Sequence, residues 1–205
     1  MRYAIAIVLA YVVGSFPSAY LAGRVFRGVD LRKVGSGNLG ATNVYREIGL
    51  AAALVVLALD ALKGWIAVTR VPVWCGLPPN DWWTVAMGVA AVAGHAKPVF
   101  LLWQGGGKGV ATATGVFIAL SPAALGIAAA GFALTVAITR YVSLGSIVGA
   151  VVLPVAVAMK RGMQSPVFVV SVLLSVFVVW RHRSNMRRVA TGIEPRLGRP
   201  GASRQ

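Results

Sequence analysis

The sequence predicts an all-α polytopic membrane protein, and three observations carry that class. Hydrophobic residues make up 58% of the 205 and charged residues only 12%, against roughly 25% charged in a soluble domain. The apolar residues fall in long blocks that meet or approach the ~18 residues read as a membrane span. The basic residues, which set a net charge of +15, sit in short loops between those blocks.

Seven spans are expected, at about 3–22, 50–69, 82–99, 109–120, 123–139, 144–159 and 167–180. The first begins next to Met1 without a basic leader or a small-residue cleavage site, so it reads as a retained span rather than a signal peptide. The fourth, fifth and sixth are short. Short re-entrant or half-helix segments are tolerated at membrane depth where they line a cavity, which hints at a site near the cytoplasmic face.

Orientation follows from charge. With the N-terminus outside, Arg24, Arg27, Arg32, Lys33, Arg46, Lys97, Lys108 and Arg140 face inward, as does the arginine-rich segment from Arg181 to Arg204. Only Arg2, Arg70, Lys160 and Arg161 face outward. The positive-inside rule therefore puts the C-terminus in the cytoplasm. A single transmembrane domain is expected over 1–198, with a tail over 199–205.

Composition also excludes several function classes. A nucleic-acid binder would carry a basic face on a soluble fold. The single cysteine, Cys75, allows no internal disulfide. Two histidines and five carboxylates without metal-ligand spacing give no metal site, and no cofactor or obligate protein partner is expected. No Ser-His-Asp set can be assembled, and neither histidine is followed five residues later by Asp.

Three polar segments fall on the expected cytoplasmic side. The first is GSGNLGATNVYR, residues 35–46. Its glycines allow close backbone approach and an amide nest for anions, and Arg46 can fork onto a phosphate; a solvated, turn-rich loop is the competing reading. The second, residues 94–112, ends in GGKGVAT, with glycine-rich backbone opening into a span and Lys108 as a point charge. It is no nucleotide P-loop, since Gly109 stands where that motif needs Ser or Thr; a flexible turn with a snorkelling lysine competes. The third follows the last span, where His182 and Asn185 share a face if the helix continues; an arginine-rich topology anchor competes. Within the second span, Asp60 and Lys63 lie three apart and are expected to pair.

Together these segments resemble the acyl-phosphate:glycerol-3-phosphate acyltransferases of bacteria, the PlsY family. GSGNLGATNVYR resembles the first family motif, GGKGVAT with Gly94, His95 and Phe100 the second, and Arg181-His182-Arg183 with Asn185, Gly192 and Glu194 the third. The run before GGKG departs from the pattern: Gln104 and Gly105 follow Trp103 where family members carry a basic residue.

The resemblance implies acyl transfer from acyl phosphate to glycerol 3-phosphate. The products would be 1-acyl-glycerol 3-phosphate (lysophosphatidate) and phosphate, the first step of phospholipid synthesis at the bacterial inner membrane. Its implied catalytic residues are Ser36, Arg46, Lys108, His182 and Asn185. Substrate and phosphate binding would fall to Gly37, Asn38, Thr42, Asn43, His95, Gly106, Gly107, Gly109, Ser146 in a Ser143–Ser146 turn, and Glu194. The partners are then the two phosphorylated substrates and the lipid bilayer, with no nucleic acid. A transporter of a phosphorylated solute is the alternative. The three segments are expected to converge on one basic, cytoplasm-facing pocket.

Overall fold

The computed structural model describes residues 1–198; the expected tail, with Arg199 and Arg204, lies outside the described residues. Among the described residues the chain is helical and has no strands. It divides into two compact units, Met1–Leu120 and Ser121–Gln205.

In the first unit, α1 (Arg2–Gly14) and α2 (Ser18–Arg27) form one 26-residue apolar stretch. The expected span at 3–22 is therefore longer than read, and it is interrupted at residues 15–17. Pro17 supplies no N–H and its ring disfavours a continued helix, so carbonyls near the break need other donors. Next come α3 (Ala41–Glu47), α4 (Leu50–Thr69), α5 (Val71–Trp74) and α6 (Asp81–Ala96), then a 3-10 turn at Val99–Leu101 and α7 (Val110–Leu120). Asn80 caps α6 by accepting a hydrogen bond from the Trp83 N–H at 3.2 Å.

Small residues set the helix packing, as expected where lipid removes the hydrophobic drive between helices. A methyl group on Gly14 would lie 2.1 Å from the Ala91 carbonyl oxygen, and one on Gly94 2.2 Å from that of Tyr11, so α1 and α6 touch backbone to backbone. Gly64 and Gly115 bring α4 and α7 together in the same way, against Thr112 and Ala61.

The second unit contains α8 (Pro122–Thr139), α9 (Val142–Arg161), α10 (Pro166–Arg181) and α11 (Arg183–Ala190). Pro122 opens α8 at a position where its missing N–H costs nothing. Ser165 caps α10 through the Phe168 N–H. Gly145 lets α9 close on Phe132 and Val136 of α8. On its other side α8 turns Leu134 and Ile138 outward, 63% and 74% exposed, as suits a helix facing lipid.

Five helices of the described residues are long and apolar enough to cross a membrane, or six if α10 and α11, bent by 49°, count as one span. The remaining expected span is α7. Its 11 residues extend about 16 Å, roughly half of a ~30 Å hydrocarbon core.

Candidate active site

The first motif is a loop clasped by a buried asparagine. Asn43, 1% exposed on α3, accepts a hydrogen bond from the Ser36 N–H at 3.0 Å. Its amide nitrogen donates to the carbonyls of Leu31 and Val34. Gly35 and Gly37 take left-handed backbone (φ 59° and 69°), and a side chain on Gly35 would strike both Asn43 and Glu47. The Asn43 amide is thus engaged in shaping the loop, and Ser36 is left exposed at its tip. Asn38, Thr42 and Arg46 are half-buried on the same segment.

Below this loop, Asp30 receives four hydrogen bonds from the Arg32 guanidinium and backbone, at 2.6–3.1 Å. That Arg32 contact holds the Asp30 carboxyl down at about 2. Arg32 also donates to the Gln104 carbonyl at 3.4 Å and lies over the Tyr20 ring. A basic group therefore does reach the turn before GGKG, supplied from the first loop rather than from within the run.

The second motif folds tightly onto the first. Leu102 and Trp103 adopt left-handed backbone, as do Gly105, Gly106 and Gly109 (φ 89°, 137° and 83°). The Trp103 indole donates to the Tyr11 hydroxyl at 2.8 Å, and Tyr11 donates to the Lys97 carbonyl at 2.5 Å. Leu39 of the first motif donates its N–H to the Gly106 carbonyl at 3.3 Å, and Gly107 donates to the His95 carbonyl at 3.1 Å. Gly106 and Gly107 are buried and Lys108 half-buried. Lys108 stands two residues before α7, where the first-turn amides make an anion-favouring terminus.

Behind these loops lies a polar cluster at span depth. Asp60 Oδ1 accepts from Ser18 Oγ at 2.6 Å and from Lys63 Nζ at 2.7 Å, with His95 Nδ1 at 3.6 Å. Lys63 also donates to the Phe16 carbonyl at 3.1 Å, beside the Ser18 N–H on the same acceptor, which ties α4 to the break before α2. The expected Asp60–Lys63 pair is thus present, and it is one edge of a larger network.

The second unit carries the third motif, and two local expectations change there. The helix does not run on through His182: α10 ends at that residue, which adopts φ −94° and ψ 3°. His182 and Asn185 therefore do not sit on one continuous helical face. His182 is buried, and its Nδ1 donates to the Val178 carbonyl at 2.8 Å. Ser146 is not in a turn but in the first part of α9, where its hydroxyl donates to the Val142 carbonyl. Gly145, which falls within the expected Ser143–Ser146 turn, is a packing glycine of α9.

Asn185 donates to Glu194 Oε1 at 2.7 Å, and Arg188 donates to Oε2 at 2.7 Å. Burial alone would raise the Glu194 carboxyl; the bonds from Asn185 and Arg188 outweigh it and hold the group below its ordinary range. The segment after α11 is tied down further by Leu197, whose N–H donates to the Arg140 carbonyl, and by Arg196 on Tyr141. Among the described residues no group of His, Cys, Asp and Glu is arranged to hold a metal ion.

The described residues thus form an all-helical chain with apolar spans, two glycine loops joined by a backbone hydrogen bond and a lysine just before a helix start, the class of a helical integral membrane protein. Comparison with known proteins makes the class specific. Residues 4–192 match the family described as Glycerol-3-phosphate acyltransferase. A glycerol-3-phosphate acyltransferase of Synechococcus sp. (strain CC9902) is 48% identical over 198 residues, 96% of each chain. One from Desulforamulus reducens is 41% identical over 192 residues, 94% of each. Two crystal structures of PlsY, an integral membrane glycerol 3-phosphate acyltransferase, superpose closely. The glycerol 3-phosphate form has a TM-score of 0.84 at 34% identity, and the lysophosphatidic acid form 0.82 at 32%; each alignment covers 97% of this chain and 96% of the other. The chain belongs to the glycerol-3-phosphate acyltransferase family.

Proposed function

We propose that this protein transfers a fatty acyl group from acyl phosphate to glycerol 3-phosphate, releasing phosphate and 1-acyl-glycerol 3-phosphate. The observation that carries the reading is the pair of interlocked loops, which present Lys108 at the start of α7 beside the Ser36–Arg46 segment. In the reaction, a glycerol 3-phosphate hydroxyl oxygen attacks the acyl carbonyl carbon. The carbon–oxygen bond to phosphate breaks, and the hydroxyl proton is taken up as phosphate departs. The donor is already activated, so catalysis consists mainly of aligning two anions and offsetting their charge.

Lys108, Gly109 and the α7 start are assigned to a substrate phosphate, with Arg46 and Ser36 as further phosphate ligands. The Gly107 N–H, directed to His95, braces the loop instead. Asn43 and Glu194 act as positioning residues, Asn43 for the first loop and Glu194 for Asn185. His182 is assigned to proton uptake, with its Nδ1 held by the Val178 carbonyl. A substrate phosphate oxygen is the competing acceptor, and a His182→Gln variant that keeps near-normal kcat would select it. Basic residues concentrated in the motif loops support N-out, C-in insertion in the bacterial inner membrane, with chemistry on the cytoplasmic side.

The donor is tested by supplying purified protein with glycerol 3-phosphate and, separately, acyl phosphate, acyl-CoA or acyl carrier protein thioester. Lysophosphatidate formation from acyl phosphate alone is expected; comparable rates from a thioester would overturn the donor assignment.

A further inference from the structure

Asp60 is the centre of the buried cluster, and its geometry exceeds what partnering Lys63 requires. It is 1% exposed in the middle of α4, where an ionised side chain needs compensation. Lys63 alone would supply that charge. Yet Oδ1 draws groups from three helices: Ser18 of α2, Lys63 of α4 and His95 of α6. The next link is His95 itself. A methyl group on Gly107 would fall 1.9 Å from His95 Nε2, so the imidazole edge lies flush against the glycine. The His95 carbonyl accepts the Gly107 N–H from the other side. The same methyl group would meet the Leu39 carbonyl at 2.7 Å, so the point held by His95 is also where the two loops meet. Ser18, Asp60, Lys63, His95 and Gly106 line one small pocket.

We propose that Asp60 is a positioning residue for catalysis: by orienting the His95 ring, it fixes the Gly106–Gly107 backbone and with it the placement of Lys108. A carboxylate facing one ring nitrogen sets the rotation of the imidazole and so what the other nitrogen meets. A misplacement of about 1 Å at a reacting group can cost about 100-fold in rate. The consequence for turnover rests on the phosphate role assigned to Lys108; the mechanical link does not.

The test uses the full chain in lipid nanodiscs, with hydrogen–deuterium exchange on peptides covering 104–109 and steady-state kinetics for glycerol 3-phosphate. Asp60→Asn is expected to speed exchange in that segment severalfold and to lower kcat/KM at least tenfold. Asp60→Asn combined with Lys63→Met removes both charges, so it separates positioning from charge balance. The double variant is expected to stay as defective as the single one and to retain fast exchange at 104–109. Wild-type exchange in that segment in Asp60→Asn, or recovery of both readouts in the double variant, would overturn the proposal. Fast exchange at 104–109 with unaltered kinetics would uphold the mechanical link while refuting the phosphate role of the loop.

Discussion

The Leu39 N–H donates to the Gly106 carbonyl at 3.3 Å, and this one bond joins two motifs that lie 67 positions apart in the chain. It makes the first loop and the glycine–lysine turn a single piece of backbone, so a change in either is expected to be felt in both.

Gly107→Ala tests that union. The added methyl group would meet the His95 ring and the Leu39 carbonyl below contact distance; the carbonyl can withdraw only by moving backbone, and the ring only by turning from its present position. Overpacking of this kind costs about 1–3 kcal/mol. A lower Tm in detergent and a raised KM for glycerol 3-phosphate are expected. Gly126→Ala on α8, where nothing lies within 4 Å, is the matched control and is expected to be neutral or stabilising by up to about 1 kcal/mol.

Lys108→Ala is expected to lower kcat by about 100- to 1,000-fold, the usual cost of removing one preorganised group that stabilises developing charge, with little change in Tm. Arg46→Lys keeps the charge but loses the fork geometry; its expected signature is a raised KM with a smaller loss in kcat.

Asn43→Leu tests the clasp. It removes the acceptor for Ser36 and the donor to Leu31 and Val34; the buried Leu31 carbonyl is left unsatisfied at about 1–3 kcal/mol, and the loop loses its clasp. Activity and Tm are expected to fall together, whereas Ser36→Ala is expected to reduce activity alone.

Glu194 gives a pH signature. Its folded carboxyl is held below the ordinary value of 4.5. Its contribution to stability is therefore complete above that value and is lost as pH falls through the depressed folded one. Thermal unfolding of wild type and Glu194→Gln across the acid range is expected to show a destabilised variant at neutral pH. The gap should narrow as the medium is acidified below 4.5.

Much of this arrangement is legible in the sequence, and the exceptions have physical reasons. The span at 50–69 coincides with α4, since long apolar runs and flanking Gly49 leave little ambiguity. The Asp60–Lys63 pair follows from helical spacing. The interruption at 15–17 was signalled by Pro17 between Ser15 and Ser18, but the long apolar runs on either side mask the break. Nothing local marks the end of α10 at His182, where neither Pro nor Gly intervenes. Gly145 resembled a turn because a packing glycine and a turn glycine look alike until the neighbouring helix is known. Asn43 and His95 read as ligand residues because they are polar and lie in motifs. Their inward direction depends on Leu31, Val34 and Gly107, which only the folded chain brings near. Arg32, reaching Gln104 across 72 positions, lay beyond any local reading.

Phosphate release by the purified protein, with acyl phosphate and glycerol 3-phosphate together and each omitted in turn, tests the central claim most directly. Stoichiometric release of phosphate and lysophosphatidate only when both are present, slowed by about 100-fold or more in Lys108→Ala, is the predicted result. Release independent of glycerol 3-phosphate, or an undiminished rate in Lys108→Ala, would contradict it.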